Sequence, residues 1–184
     1  MIKVLLIPLF FMLFSGCVDK KNVLFIDNMG ICTKSMATLH LREVEMQNNA
    51  QTFNVTSDEL TLALVNALKE TNCFVVLTSK TNSLDSKDDY FLDVKVNLSQ
   101  DKEKSKQNIF KTVEKEHLQM LISLNAYNNG NKVVANAKSE IVIDKSKILG
   151  FKPESDTLGD KRMLIKNATK QVSIAISDGF LKLR

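Results

Sequence analysis

Strict alternation of apolar and polar residues dominates the middle of the chain. From Tyr90 to Ser99, Leu92, Val94, Val96 and Leu98 fall on one phase, while Asp93, Lys95 and Asn97 fall on the other. A period of two places those leucines and valines on one face of a β-strand. Leu118, Met120, Ile122, Leu124 and Ala126 repeat the pattern, and Val133, Ala135, Ala137, Ile141 and Ile143 share a face in a third run. Asn128-Asn129-Gly130-Asn131 separates the last two runs. Asn-Gly tolerates the positive φ of a type I′ turn, so this segment predicts a hairpin. An earlier strand is predicted over Ala37 to Met46. Leu39 and Leu41 share one phase there and Val44 and Met46 the other, which predicts a bulge near Arg42-Glu43. Phe74 to Thr78 reads as a short buried strand.

Helical spacing takes over in two places. Thr56 followed by Glu59 forms a capping box, and Val55 and Leu60 occupy the positions of a hydrophobic staple. Leu60, Ala63, Leu64, Ala67 and Leu68 then make one apolar stripe, ending at Lys69 to Asn72 with Asn72 as a cap. A second helix is predicted over Asp160 to Leu181, with Leu164, Ala168, Val172, Ala175 and Ile176 buried. Ser79 to Asp89 and Gly150 to Gly159 read as loops. The order β-α-β-β-β-β-α predicts an α+β fold, an antiparallel or mixed sheet of four to five strands packed by two helices. Half-polar strands are expected when helices cover one sheet face only.

The first sixteen residues stand apart. Lys3 is followed by an apolar run from Val4 to Phe14, which is shorter than the roughly 20 residues a spanning helix needs and has the length of a signal-peptide core. Leu13-Phe14-Ser15-Gly16-Cys17 resembles the lipobox of bacterial lipoproteins, with Cys17 as the lipidated residue. The predicted organisation is a signal peptide over 1–16, a lipidated tether over 17–36 and a partner-binding domain over 37–184. Val18, where Asp would favour inner-membrane retention, points to a periplasm-facing address at the outer membrane. Inside the tether, Val23-Leu24-Phe25-Ile26 is apolar enough to dock as a short strand. Cys32 and Cys73 either pair in an oxidising compartment or remain free thiols, with Cys73 packed as a small hydrophobe.

Composition narrows the chemistry. With 25 Lys+Arg against 21 Asp+Glu the formal charge is +4, too mild and too dispersed for a dedicated nucleic-acid binder. The two histidines, His40 and His117, have no metal-ligand spacing and read as surface or edge residues. No nucleophile elbow or nucleotide-binding glycine loop is present, so no metal or cofactor is implied and a non-catalytic protein is expected. Asp88-Asp89 and the pair Glu114 and Glu116 read as solvated charges at strand entrances. The least ordinary segment is Ser99 to Glu116, read as a long loop between two strands. Lys102, Lys104, Lys106, Lys111 and Lys115 make it basic, and Ile109, Phe110 and Val113 form an apolar island within it. It is a solvated hairpin extension, a contact for a protein partner, or a contact for anionic lipid or glycan. In the second case Lys104, Lys106, Ile109, Phe110, Lys111 and Val113 carry the contact.

Thr56 to Lys80, TSDELTLALVNALKETNCFVVLTSK, resembles a helix–strand unit of the family that contains the curli-secretion lipoprotein CsgG and the penicillin-binding-protein activator LpoB. Asp89-Tyr90-Phe91-Leu92-Asp93-Val94 is similar to the strand entry that follows in that family. Ile122 to Tyr127 with Gly130 to Val134 is similar to its strand, turn and return strand, although Asn128-Asn129 stands where Asp is commoner. The resemblance spans Ala37 to Leu183. It implies a lipid-anchored accessory protein that binds and assists an envelope machine, a peptidoglycan synthase or a secretion system. Because no pair of long amphipathic insertions is present, it implies a docking domain rather than a pore; self-association stays open. A tether of about 20 residues reaches at most about 70 Å. Lipopolysaccharide-translocon lipoproteins of LptE type and auxiliary lipoproteins of ABC transporters are the alternatives.

Overall fold

The computed structural model describes residues 30–50, 53–78, 83–108, 111–145, 147–148 and 157–183. The elements run β1 (Ala37–Asn48), α1 (Ser57–Glu70), β2 (Phe74–Leu77), β3 (Asp89–Asn108), β4 (Lys111–Tyr127), β5 (Lys132–Asp144), β6 (Lys147–Ile148) and α2 (Thr157–Leu181). The sheet order is β2-β1-β3-β4-β5, with β6 beside β4. β1 is parallel to both β2 and β3, and β3-β4-β5 form an antiparallel meander. This is the α+β architecture of a mixed sheet with two helices. No helix among the described residues is long and apolar enough to cross a membrane.

One sheet face is the core. Leu39, Leu92, Leu98, Leu118, Met120, Ile122 and Leu124 are fully buried there, against Leu60, Leu64 and Leu68 of α1 and Leu164, Val172 and Ile176 of α2. Each alternating run therefore buries one phase, with an area-proportional gain of about 2 kcal/mol per large side chain. The bulge lies between Leu41 and Val44, where β1 uses three steps against two on β3. The extra residue flips the phase, so Val44 and Met46 rejoin the apolar side. Phe180 of α2 packs edge-on against Phe74 and Tyr90, with ring centroids 5.1 and 4.9 Å apart.

Local signals explain the helix ends. Thr56 Oγ1 accepts from Glu59 N–H at 3.2 Å and Glu59 Oε2 accepts from Thr56 N–H at 3.2 Å, which completes the capping box. Lys161 of α2 lies 2.6 Å from the same carboxylate and ties the two helix starts together. That hydrogen bond and the one from Thr56 N–H hold Glu59 below the usual carboxylate range. Thr71 is the C-cap of α1. Asn72, the residue after it, adopts φ 59°, a left-handed conformation that Asn tolerates. α2 starts at Thr157, three residues before the predicted Asp160. A Cβ on Gly179 would lie 2.5 Å from Val133 Cγ1, so only glycine lets this helix approach β5 so closely.

Candidate functional site

The segment Ser99 to Glu116 is not a loop. β3 continues to Asn108 and β4 begins at Lys111, and the two pair in unbroken register from Phe91↔Tyr127 to Lys106↔Thr112. β5 flanks β4 as far as Lys115↔Asp144, and β6 resumes beside Lys111 and Thr112. The result is a three-stranded β-arm extending from the body. Period-two alternation persists through it, but the residues on the core phase become Gln100, Lys102, Lys104, Thr112, Glu114 and Glu116, so the apolar count falls to zero and the segment looks irregular in the sequence.

The arm is also not a basic patch. Lys104 Nζ lies 3.4 Å from Glu114 Oε1 across the β3–β4 ladder, and Lys102 Nζ lies 3.7 Å from Glu116 Oε1. Glu103 stands opposite Lys115. Lys102, Lys104 and Lys115 thus face carboxylates, whereas Lys106 stands opposite Thr112. At the root, Glu116 is 2% exposed, which corrects its reading as a solvated charge. Lys145 Nζ sits 2.6 Å from its Oε2. Burial by itself would raise the Glu116 pKa; the Lys145 hydrogen bond and charge, the Lys102 charge and the Gln100 side chain outweigh burial and hold it below the usual value. Glu116 therefore caps the apolar core with a buried charge that two cations satisfy.

The sequence-predicted contact residues fall as follows. Lys104 is exposed on the arm, and Val113, half-buried, stands opposite Ser105. Lys106 and Lys111 belong to the backbone ladders of β3 and β4. Ile109 and Phe110 lie outside the described residues, as do Cys17 and Val23 to Ile26. The histidines also differ from their reading. His40 is on β1, an interior strand, and its imidazole is 12% exposed, 3.9 Å from Asp89 Oδ2. His117 Nδ1 is 3.3 Å from Glu140 Oε1 and its Nε2 is 3.9 Å from Glu103 Oε2.

Two further features lie toward the end of the sheet opposite the arm. Cys32 and Cys73 form a disulfide across 41 positions of sequence. Residues 31–36, assigned to the tether by sequence, are held to the domain: Ile31 and Cys32 N–H donate to Thr71 C=O, and Met36 N–H donates to Cys73 C=O. On the sheet face away from the helices, Arg42 donates to Tyr127 Oη at 2.8 Å and lies 5.3 Å from the Phe91 ring centroid. Tyr127, Asn125, Asp93 and the turn 128–132 line an open concavity of about 450 Å³. These outward residues are polar on average, so they are not predicted by the apolar pattern; the Phe91 and Tyr127 rings are the only cue in the sequence.

The class of protein defined by these features is an α+β sandwich with one sheet face that no described element covers and a charged β-arm. No family model matches the chain. No curated protein matches it either. Among solved structures, the chain is similar to a neuraminyllactose-binding hemagglutinin homolog from Helicobacter pylori, with 15% identity, TM-score 0.48 and coverage of 82% of this chain and 93% of that one. It is similar to a minor lipoprotein from Acinetobacter baumannii at 12% identity and TM-score 0.44, covering 78% and 94%. PelC from Paraburkholderia phytofirmans, a dodecamer, follows at 13% identity and TM-score 0.40, covering 78% and 93%.

Proposed function

We propose that this chain is a non-catalytic, lipid-anchored accessory protein of the bacterial cell envelope, held by Cys17 and presenting its β-arm to a protein partner. The carrying observation is the arm itself. Asp101 to Ser105 are exposed on both faces of a long hairpin with no apolar layer behind it. Packing of the domain does not require such a projection. Its charges keep it soluble while leaving it accessible. The Cys32–Cys73 disulfide supports an exported location, because such bonds persist in oxidising compartments. The finer reading is an accessory of CsgG/LpoB type facing the periplasm from the outer membrane. The lipidation site and the sorting residue Val18 come from sequence.

The test is a cross-linked pull-down from membranes with tagged wild type, Cys17→Ala, and an arm-trimmed form. In the trimmed form Asn-Gly replaces Lys104 to Glu114, joining Glu103 and Lys115, a pair whose backbone groups face each other, by a two-residue turn. Wild type should capture an envelope protein. The trimmed form should lose it while its core stays folded. Cys17→Ala should lose membrane attachment and, with it, capture. A peptidoglycan synthase or secretion component supports the favoured reading; a β-barrel translocon supports the LptE-type alternative. Unchanged capture by the trimmed form would overturn the assignment of the arm.

A further inference from the structure

The sheet loses a strand where the arm begins. β1 ends at Asn48, and Asn49 N–H donates to Leu98 C=O at 2.9 Å. Asn48 then turns the chain away, its Nδ2 donating to Phe53 C=O at 3.2 Å and its Oδ1 accepting from Ala50 N–H at 3.0 Å. β3 continues to Asn108 with β4 on one side. Among the described residues no strand pairs with its other side beyond Leu98.

The direction of the backbone groups along this edge follows from the ladder. Successive residues of a strand turn their N–H and C=O to opposite edges. Leu98 C=O faces β1, and so does Asp88 C=O, which accepts from Thr38 N–H at 3.0 Å. The β3–β4 register is unbroken from Phe91 to Lys106, so the same phase carries on to Lys102 and Lys104. Their N–H and C=O groups point outward along a free edge, while those of Ser99, Asp101 and Glu103 serve β4.

Side chains along the edge are sorted by sign. Lys102 and Lys104 lie on the helix-side face; Asp101 and Glu103 lie on the opposite face. Antiparallel pairing with a second copy of the edge would set lysine against lysine and carboxylate against carboxylate, which is unfavourable. An incoming strand with the reverse pattern would meet opposite charges at every position.

We infer that the free edge of β3 receives an extended segment of a protein partner by strand addition. The segment alternates acidic residues over Lys102 and Lys104 with basic residues over Asp101 and Glu103. Backbone hydrogen bonds supply affinity in this mode, and the charge alternation supplies register and selectivity. The inference rests on the reading of the arm as the partner surface and names the kind of partner it takes.

The probe is an alternating Glu-Lys decapeptide blocked at both ends, in which period two puts every Glu on one face and every Lys on the other. Its control is a peptide of the same composition with the glutamates and lysines in two blocks. Amide NMR of the full mature domain should show shifts confined to the arm and slowed exchange at the Lys102 and Lys104 amides with the alternating peptide only. Lys104→Pro removes one outward N–H without touching the β4 ladder, a substitution that edge strands accept. It should weaken binding by about tenfold or more and leave the core spectrum unchanged. Equal binding of the block peptide, unchanged affinity of Lys104→Pro, shifts located elsewhere, or edge-dependent dimerisation of the protein would each overturn the inference. Capture of the membrane partner by Lys104→Pro as well as by wild type would overturn the edge and leave the arm reading standing. Loss of nothing on arm trimming would sink both.

Discussion

The same face of β4 serves two environments. From Ala126 back to Leu118 every residue on the core phase is apolar and fully buried under the helices. From Glu116 to Thr112 the same phase carries Glu116, Glu114 and Thr112, paired across to Lys102, Lys104 and Lys106. Backbone geometry and hydrogen bonding do not change at the boundary; only the cover does. Apolar side chains hold the body together by burial, whereas ion pairs in the arm, where water competes, contribute little. Strand structure in the arm therefore depends on the body from which it extends, and the arm's charges add to solubility rather than to stability.

The sharpest test of that contrast is a pair of truncations on one strand. Ile122→Ala should cost about 3–4 kcal/mol in equilibrium urea unfolding, because the helices cannot collapse onto the cavity. Glu114→Ala should move stability by no more than about 0.5 kcal/mol. Similar costs at the two sites would mean that the arm is part of the cooperative core. Opening the disulfide by Cys32→Ser with Cys73→Ser should cost about 3–4 kcal/mol in the same assay, from the entropy of a long loop released in the unfolded chain.

Glu116 stands on the boundary and should behave like neither side. Glu116→Gln leaves Lys145 and Lys102 without their counter-charge and should cost about 2 kcal/mol near neutral pH. Since the folded state lowers this carboxyl from its ordinary 4.5, its contribution is complete above that value and is lost as pH falls through the lower folded pKa. The acid limb of stability against pH should flatten in Glu116→Gln; an unchanged limb would show that other carboxylates govern it. Replacing Glu116 by Leu together with Lys145 by Met extends the apolar strip and should cost less than either single change. Gly179→Ala should cost about 1–3 kcal/mol in the same unfolding assay, set by the clash with Val133.

Legibility in the sequence followed the same boundary. The body could be read because apolar residues recur at fixed periods: the runs of β3, β4 and β5, the bulge near Arg42, the capping box at Thr56 and the turn at Asn128 all lie where alternation and spacing place them. The arm could not, because its alternation is between charges of opposite sign, and a hydrophobicity pattern is blind to sign. Its cross-strand lysine–glutamate partners also lie 10 to 14 residues apart and meet only once the hairpin is folded. The burial of Glu116 was hidden for a related reason: its cation Lys145 comes from the far end of β5. In α2, Thr169 and Ser177 are buried although polar, because their hydroxyls donate to carbonyls one turn back.

The disulfide determines how the molecule would answer a pull. If Cys17 holds the chain to a membrane while the arm grips a partner, tension enters through the residues before Cys32. The Cys32–Cys73 bond closes a covalent ring around β1 and α1. Force reaching Cys32 crosses directly to Cys73 at the foot of β2, so neither β1 nor α1 can be unreeled from its end. The strand that lies between β2 and β3 is thereby protected against peeling, and the domain can be towed by its leash without being unravelled by it.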